Sequence, residues 1–291
     1  MKKLSVILPV YNEEEIIENS VRRITEFLDD LGADYELIIC DDHSDDGTSS
    51  AVRKLCLNNG NIVLLHFDQR IGKGGAIKNA LKVAEGNVIV FMDCDLSTNL
   101  KHLPQLVEQA DETDGIVIGV RDSKAVKRTL TRKFLSSAYN FMVNILFNTG
   151  IGDHQCGFKG FSSKAAEQLF HQIRTNGFTF DTELIAVAKR IGIPVTVLPV
   201  EWKDNRSNKS TSKVFPLRSA VTMLIDLLIV RFRHIAGKTL IPYREVEVGS
   251  FTDETRNKTY PATHMWINVG DQRILSILRR MYLRIAFGRK K

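Results

Sequence analysis

Cysteine is scarce in this chain: four in 291 residues, at positions 40, 56, 94 and 156, with no CxxC pair. That excludes a disulfide framework and a structural zinc site, and it points to a reducing, cytoplasmic setting. Long apolar runs are also missing. The opening Met1-Lys2-Lys3 is followed by only a short apolar stretch, which gives way to Asn12-Glu13-Glu14-Glu15 without a small-residue cleavage site. It therefore reads as a buried first strand rather than a signal peptide. The most apolar later stretch, residues 220–230, contains Asp226 and is too short to span a bilayer, so no transmembrane helix is expected. The glycine-rich segment Arg70–Ala76 lacks the GxGxxG spacing of dinucleotide folds and the GK[ST] ending of a P-loop, which disfavours nicotinamide and P-loop chemistry. Basic residues are not interleaved with aromatics in any recognisable module, so no nucleic-acid partner is expected. Repeats and low-complexity tracts are absent.

What is present is an ordinary globular composition, 43% hydrophobic and 25% charged, with a formal net charge of +6 that suits phosphate-bearing partners without choosing among them. Short apolar runs at 4–10, 36–40, 62–67, 88–92 and 115–119 alternate with helical patterns at 14–31, 48–57, 76–85 and 103–109. This is the pattern of an α/β fold with a mostly parallel sheet flanked by helices. Further on, helices are expected at 127–147, 163–173, 180–191, 216–233 and 271–287, and a strand at 195–200. Residues 150–160 read as a glycine-bounded loop and 203–213 as a polar, basic loop, while 237–269 has no readable periodicity. In open sheets of this kind ligands collect beyond the carboxyl ends of the strands.

Those ends are rich in acids. Asp93 and Asp95 follow the strand at 88–92 with one residue between them. Two acids so placed either cap a solvated loop or share a hard cation such as Mg²⁺ or Mn²⁺, which keeps waters and binds substrate phosphates in its remaining positions. Asp41-Asp42 leads into His43-Ser44-Asp45-Asp46-Gly47-Thr48, which is equally readable as a helix-capping turn or as a ligand contact. Pro9-Val10-Tyr11-Asn12-Glu13 carries the same ambiguity. Arg70-Ile71-Gly72-Lys73-Gly74-Gly75 opens a helix whose N–H groups could approach a phosphate.

Four motifs occur in order: Val6–Glu13, Asp41–Thr48, Met92–Ser97 and Asp153-His154-Gln155-Cys156-Gly157-Phe158-Lys159. In this order they resemble glycosyltransferase family 2 over about residues 4–213. The last motif, with Phe180-Asp181-Thr182-Glu183-Leu184, is similar to the dolichyl-phosphate glucose and dolichol-phosphate mannose synthases and their polyprenyl-phosphate relatives. The resemblance implies a GT-A nucleotide-sugar-binding fold, a Mg²⁺ or Mn²⁺ ion, and inversion at the anomeric carbon. It implies that Pro9, Tyr11, Glu13 and Asp42 hold the nucleoside of a UDP- or GDP-sugar, with Asp93 and Asp95 holding the metal on its diphosphate. Arg121 and Arg132 match basic positions near the two phosphates, and Asp153 matches a residue that orients or activates the acceptor. Arg206, Ser212 and Lys213 match a loop that closes over phosphate. Ser97 stands where some mannose synthases carry a glutamine metal ligand.

On this reading residues 1–213 form the catalytic domain and 214–291 an amphipathic helical extension at a membrane interface. The acceptor would be dolichyl or polyprenyl phosphate, and the protein would be peripheral on the cytoplasmic face. The alternative is that one amphipathic helix belongs to the core and the other to a partner or homo-oligomer contact. Two competing readings keep the motifs: a family 2 enzyme acting on a glycan or soluble acceptor, and a nucleotide-binding protein without transfer activity.

Overall fold

A computed structural model describes residues 3–121, 130–177, 179–203, 205, 224–231 and 243–267; the side chains of 130–135, 243–248 and 263–267 lie outside that description. The first half follows the expected alternation: β1 (Leu4–Val10), α1 (Glu14–Asp30), β2 (Tyr35–Asp41), α2 (Thr48–Asn58), β3 (Ile62–Phe67), α3 (Lys73–Ala80) and β4 (Val88–Met92). It continues with α4 (Leu103–Thr113), β5 (Ile116–Arg121), α5 (Leu130–Phe147), β6 (Phe158–Ser162), α6 (Ser163–Phe170), α7 (Phe180–Ile191) and β7 (Val195–Val200). Residues 224–231 are helical. Two long strands follow, β8 (Tyr243–Asp253) and β9 (Lys258–Ile267).

All nine described strands join one sheet in the order β7-β5-β6-β4-β1-β2-β3-β8-β9. β1 runs parallel to both β2 and β4, and β2 parallel to β3. β6 is antiparallel to both of its neighbours, β4 and β5. Strand alternation sorts the core onto the two faces. On β1, Leu4, Val6, Leu8 and Val10 pack with α1, α2 and α4, while Ile7 faces the side covered by α3, α6 and α7. Helix α1 docks through Ile17, Val21, Ile24 and Leu28, a helical spacing, each about 1% exposed or less. Burying each such side chain contributes about 1.5–3 kcal/mol.

Two elements depart from expectation. The glycine-bounded stretch at 150–160 holds the start of β6, whose Phe158 and Phe161 are fully buried. The unassigned stretch 237–269 holds a hairpin that pairs antiparallel with β3 through Leu65↔Asp253, His66↔Thr252 and Phe67↔Phe251. Phe251 is buried between Phe67 and Tyr260, with ring centroids 5.1 and 5.3 Å away. Arg53 grips Glu254 with two 2.7 Å contacts, and Arg256 reaches Glu85 at 2.9 Å. The hairpin is thus an integral part of the sheet formed by the first 200 residues. Of the helices expected at 216–233 and 271–287, the second lies outside the described residues and the first is described only over 224–231.

Candidate active site

The parallel register brings the carboxyl ends of β1, β2 and β4 to one edge, with Val10 opposite Asp41. Because β6 is antiparallel, its amino end, preceded by Asp153 and Gly157, lies on that same edge. Arg121 ends β5 there too.

On the β1–β2 side, two loops are stapled together. Asn12, at φ 55°, donates its N–H to Ser44 Oγ (2.9 Å), and its side-chain oxygen accepts from Asp45 N (3.0 Å). Glu13 N donates to Thr48 Oγ1 at 2.9 Å. Tyr11 lies under the guanidinium of Arg70, 3.5 Å from the ring centroid. Asp42 is buried and accepts from the backbone N–H groups of Ile71 (2.6 Å) and Gly72 (3.1 Å). The Arg70–Gly75 segment therefore wraps an acid instead of standing as a separate phosphate cradle. Gly72 has φ 81°, and a Cβ there would lie 2.7 Å from the carbonyl oxygen of Asn176, so the turn admits only glycine. Burial pushes the Asp42 carboxyl up despite those amides and Arg70. Its neighbour Asp41 is fully buried beside Ser49 and 2.8 Å from His66 Nδ1. There burial is outweighed by hydrogen bonds from His66, Ser44 and Ser49, which hold Asp41 below the usual carboxylate range.

Beyond β4, Asp93 accepts from Lys73 Nζ at 2.8 Å and donates its own N–H to Gly157 O at 3.0 Å. Its side chain is 40% exposed, which leaves a face of the carboxylate open to solvent. Asp95 accepts from Ser97 N at 3.0 Å, and between them the chain turns through Leu96 at φ 49°, a strained value for a branched residue. The Ser97 hydroxyl is buried without a hydrogen-bond partner, at a small cavity that Asp93 and Gly157 also line. No group of three His, Cys, Asp or Glu side chains converges among the described residues, so a protein-only metal cage is not built here. Two carboxylates at a strand end with an orphaned hydroxyl beside them are nonetheless an all-oxygen set. They fit Mg²⁺ or Mn²⁺, which take one or two carboxylates and complete their shells with water and phosphate.

On the β5 side, Arg121 and Asp153 form a two-pronged pair, with Nη2 to Oδ1 at 2.6 Å and Nε to Oδ2. Both side chains are nearly buried, and Arg121 also lies 5.5 Å from the Trp202 ring centroid. Burial alone would raise Asp153, but Arg121, reinforced by the Lys159 charge, holds it below the usual range. The loop carrying Asp153 is held by α5: Asn144 Nδ2 donates to Ile151 O at 2.9 Å, and Asn140 Oδ1 lies 2.9 Å from His154 Nδ1. Burial pushes the His154 imidazole down to about 4, so it is neutral in this loop at ordinary pH. Trp202 and Lys203 dock on the loop that follows Asp95, with Thr98 bridging Trp202 and Lys203 N donating to Ser97 O at 2.8 Å.

Pro9, Tyr11, Glu13, Asp42, Asp93, Asp95, Arg121 and Asp153 thus share one edge. Arg132 falls on α5, but its side chain lies outside the described residues, as do Arg206, Ser212 and Lys213 altogether. Three charged residues of this edge carry no role in the sequence reading: Lys73, Lys159 and Asp181. Their signal is a charge inside an apolar element, most clearly Lys159 among the residues Phe158-Lys159-Gly160-Phe161 of β6.

Residues 5–170 match the glycosyl transferase family 2 profile, and the chain belongs to that family. It is a glycosyltransferase with the GT-A type of α/β fold. Among curated relatives, the dolichyl-phosphate beta-glucosyltransferase of Dictyostelium discoideum is 33% identical over 250 residues, covering 80% of this chain and 75% of that protein. The human dolichyl-phosphate beta-glucosyltransferase is 30% identical over 253 residues, covering 81% and 77%. Glycosyltransferase AglD of Haloferax volcanii is 38% identical over 213 residues, but that match spans 71% of this chain and only 34% of AglD. Among solved structures, glucosyl-3-phosphoglycerate synthase of Mycobacterium tuberculosis bound to UDP superposes with a TM-score of 0.60 at 19% identity, covering 90% of this chain and 88% of that one. The same enzyme solved with Mn²⁺, UDP and phosphoglyceric acid gives a TM-score of 0.58, again at 19% identity, with coverages of 90% and 87%.

Proposed function

We propose that the protein transfers a hexose from a UDP- or GDP-sugar to dolichyl or polyprenyl phosphate, with inversion at the anomeric carbon. The observation that carries this reading is that one sheet edge gathers the carboxylates Asp42, Asp93 and Asp95, the first two beside Arg70 and Lys73, together with the Arg121–Asp153 pair at the end of β5. Two anions must meet there, an activated sugar diphosphate and an acceptor phosphate. The acceptor class comes from the relatives named as dolichyl-phosphate glucosyltransferases.

Pro9, Tyr11, Glu13 and Asp42 would bind the nucleoside. Asp93 and Asp95 would hold a Mg²⁺ or Mn²⁺ ion, whose contribution when bound is to neutralise charge on the departing diphosphate. Arg121 would bind the acceptor phosphate, its guanidinium kept in one orientation by Asp153. A phosphate monoester has a second pKa of about 6 and is already largely ionised at neutral pH, so its attack needs little proton removal. Asp153, held ionised by Arg121, is accordingly a poor base and is assigned to orientation. The larger task is alignment of two repelling anions. Arg132, Arg206, Ser212 and Lys213 would add positive charge and hydrogen bonds to the same task.

A lipid acceptor calls for contact with a bilayer surface, and no helix among the described residues is long and apolar enough to cross a membrane. The outward face of α5 supports a peripheral arrangement: Phe141 and Ile145, one turn apart, are 69% and 66% exposed. Nearby, Lys189, Arg190 and Arg231 line an open cleft beyond the end of the helix, suited to anionic headgroups.

The test is incubation of purified protein with a panel of nucleotide-sugars, Mg²⁺ or Mn²⁺, and either a polyprenyl phosphate or a soluble phosphate monoester, with products weighed by mass spectrometry. A sugar-phosphate-lipid product is expected. Transfer only to the soluble acceptor would refute the lipid assignment, and no transfer from any donor would refute the whole reading.

A further inference from the structure

Lys159 sits on β6 directly opposite Phe91 of β4, and its side chain is fully buried. Its ammonium donates to Asp181 Oδ1 at 2.5 Å and to the carbonyl oxygen of Cys156 at 2.6 Å. The Phe91 ring centroid is 5.3 Å from this ammonium and 5.6 Å from that of Lys73. Lys73 in turn holds Asp93. Four charges thus alternate beneath the sheet edge: Asp93, Lys73, Asp181 and Lys159.

A buried ammonium–carboxylate pair forfeits hydration and is often no more stabilising than two well-packed apolar residues. Its effect is better sought in geometry. The 2.6 Å bond to Cys156 O closes the turn that begins β6, and this turn contains Gly157. Gly157 O accepts the Asp93 N–H, and the Gly157 Cα is so close to the Asp93 carboxylate that a Cβ would lie 2.0 Å from Oδ2. The orientation of Asp93 therefore depends on where the Cys156–Lys159 turn lies, which the Lys159 ammonium closes from within and the pairing of β6 with β4 holds from outside.

We infer that Lys159, anchored by Asp181, is a positioning residue that sets the Asp93 carboxylate for the divalent cation while touching neither cation nor substrate. This rests on the reading of Asp93 and Asp95 as cation ligands. Lys159→Met alone leaves Asp181 buried and unpaired and invites misfolding, so the decisive protein is the pair variant Lys159→Met/Asp181→Leu, which removes both charges together. Asp181→Asn, which leaves the ammonium and the hydrogen-bonding shape in place, serves as the second protein.

Mn²⁺ uptake is measured by the loss of the free-ion electron paramagnetic resonance signal, with UDP and, separately, GDP present, alongside calorimetry of nucleotide binding without metal. In folded pair variant protein Mn²⁺ affinity should fall about tenfold or more, the range seen when a group supporting a metal ligand is removed, and Asp181→Asn, which keeps the ammonium and its bond to Cys156 O, should show a smaller loss. Metal-free nucleotide binding should stay within about twofold, a split that a general loosening of the fold would not produce. Unchanged Mn²⁺ affinity in the variants, with the parent chain binding normally, overturns the role of Lys159 alone. Failure of the parent chain to take up Mn²⁺ with either nucleotide overturns the cation reading and this inference with it.

Discussion

Gly157 stands against Asp93 with no room for a methyl group between them. Gly157→Ala should therefore push the carboxylate aside. Overpacking of this kind costs about 1–3 kcal/mol. The fold should survive with a lowered melting temperature, while Mn²⁺ affinity falls about tenfold. Thermal denaturation and metal titration of the same sample check both, and an unchanged metal affinity would detach Gly157 from the cation site.

Asp95→Asn removes a negative charge from the proposed cation pair but keeps an oxygen that can still accept from Ser97 N. Transfer should fall by about 10²–10³-fold, the scale of losing a cation's charge stabilisation at a leaving group. Stability should be nearly unchanged, since Asp95 is partly exposed. Rates measured over a range of Mn²⁺ concentrations decide the matter, and parental turnover would remove Asp95 from the site.

Asp153→Asn leaves the Arg121 guanidinium without its charged partner in a nearly buried setting. The expected loss is about 3 kcal/mol of stability, with turnover depressed more than donor affinity. The pair's stabilisation is present above the unfolded carboxylate pKa and is lost only as pH falls through the lower folded value. Parent and variant should accordingly differ in melting temperature by a constant amount between pH 6 and 8. Equal losses in turnover and donor affinity would move Asp153 to the nucleotide side.

The His66–Asp41 pair gives the opposite pH signature. The hydrogen bond to Asp41 raises the His66 imidazole above its usual value, with burial opposing it. The stabilisation from His66 is fully present below the unfolded pKa of about 6.5 and is lost as pH rises through the higher folded value. His66→Gln should thus lower the melting temperature more at pH 5.5 than at pH 9. A pH-independent difference would show that the imidazole contributes only by shape.

If α5 meets the bilayer through its outward face, Phe141→Glu/Ile145→Glu should reduce flotation with anionic liposomes by more than about tenfold, since each buried side chain is worth about 1.5–3 kcal/mol. Transfer to a short, soluble polyprenyl phosphate analogue should persist. Undiminished flotation would place the membrane contact elsewhere.

The alternation of strands and helices through residue 121 is legible in the sequence because each apolar run there is bounded by caps and turns and has one periodicity. The acidic edge is legible for a related reason: Asp41-Asp42 and Asp93-Cys94-Asp95 each terminate an apolar strand, and parallel strands end together. β6 escapes because Gly157 and Gly160 imitate a loop. Both glycines are there for close approach, one to Asp93 and the other to Leu106, rather than for a turn. The hairpin at 243–267 escapes because Gly249, where the pairing register shifts, and Pro261 interrupt its strand pattern, so its place beside β3 emerges only from tertiary pairing. The Lys159–Asp181 pair is invisible locally, since its partners are 22 residues apart.

The hairpin also bears on how the protein can be dissected. Its strand β8 caps β3, and Phe251 fills the space beside Phe67. A chain cut just after residue 213 would present β3 as a naked edge with an aromatic wound beside it, an invitation to self-association. Deletion would then mimic membrane stickiness in a pelleting or flotation assay, and the proposed bilayer contact is better tested with single side-chain changes on the intact chain.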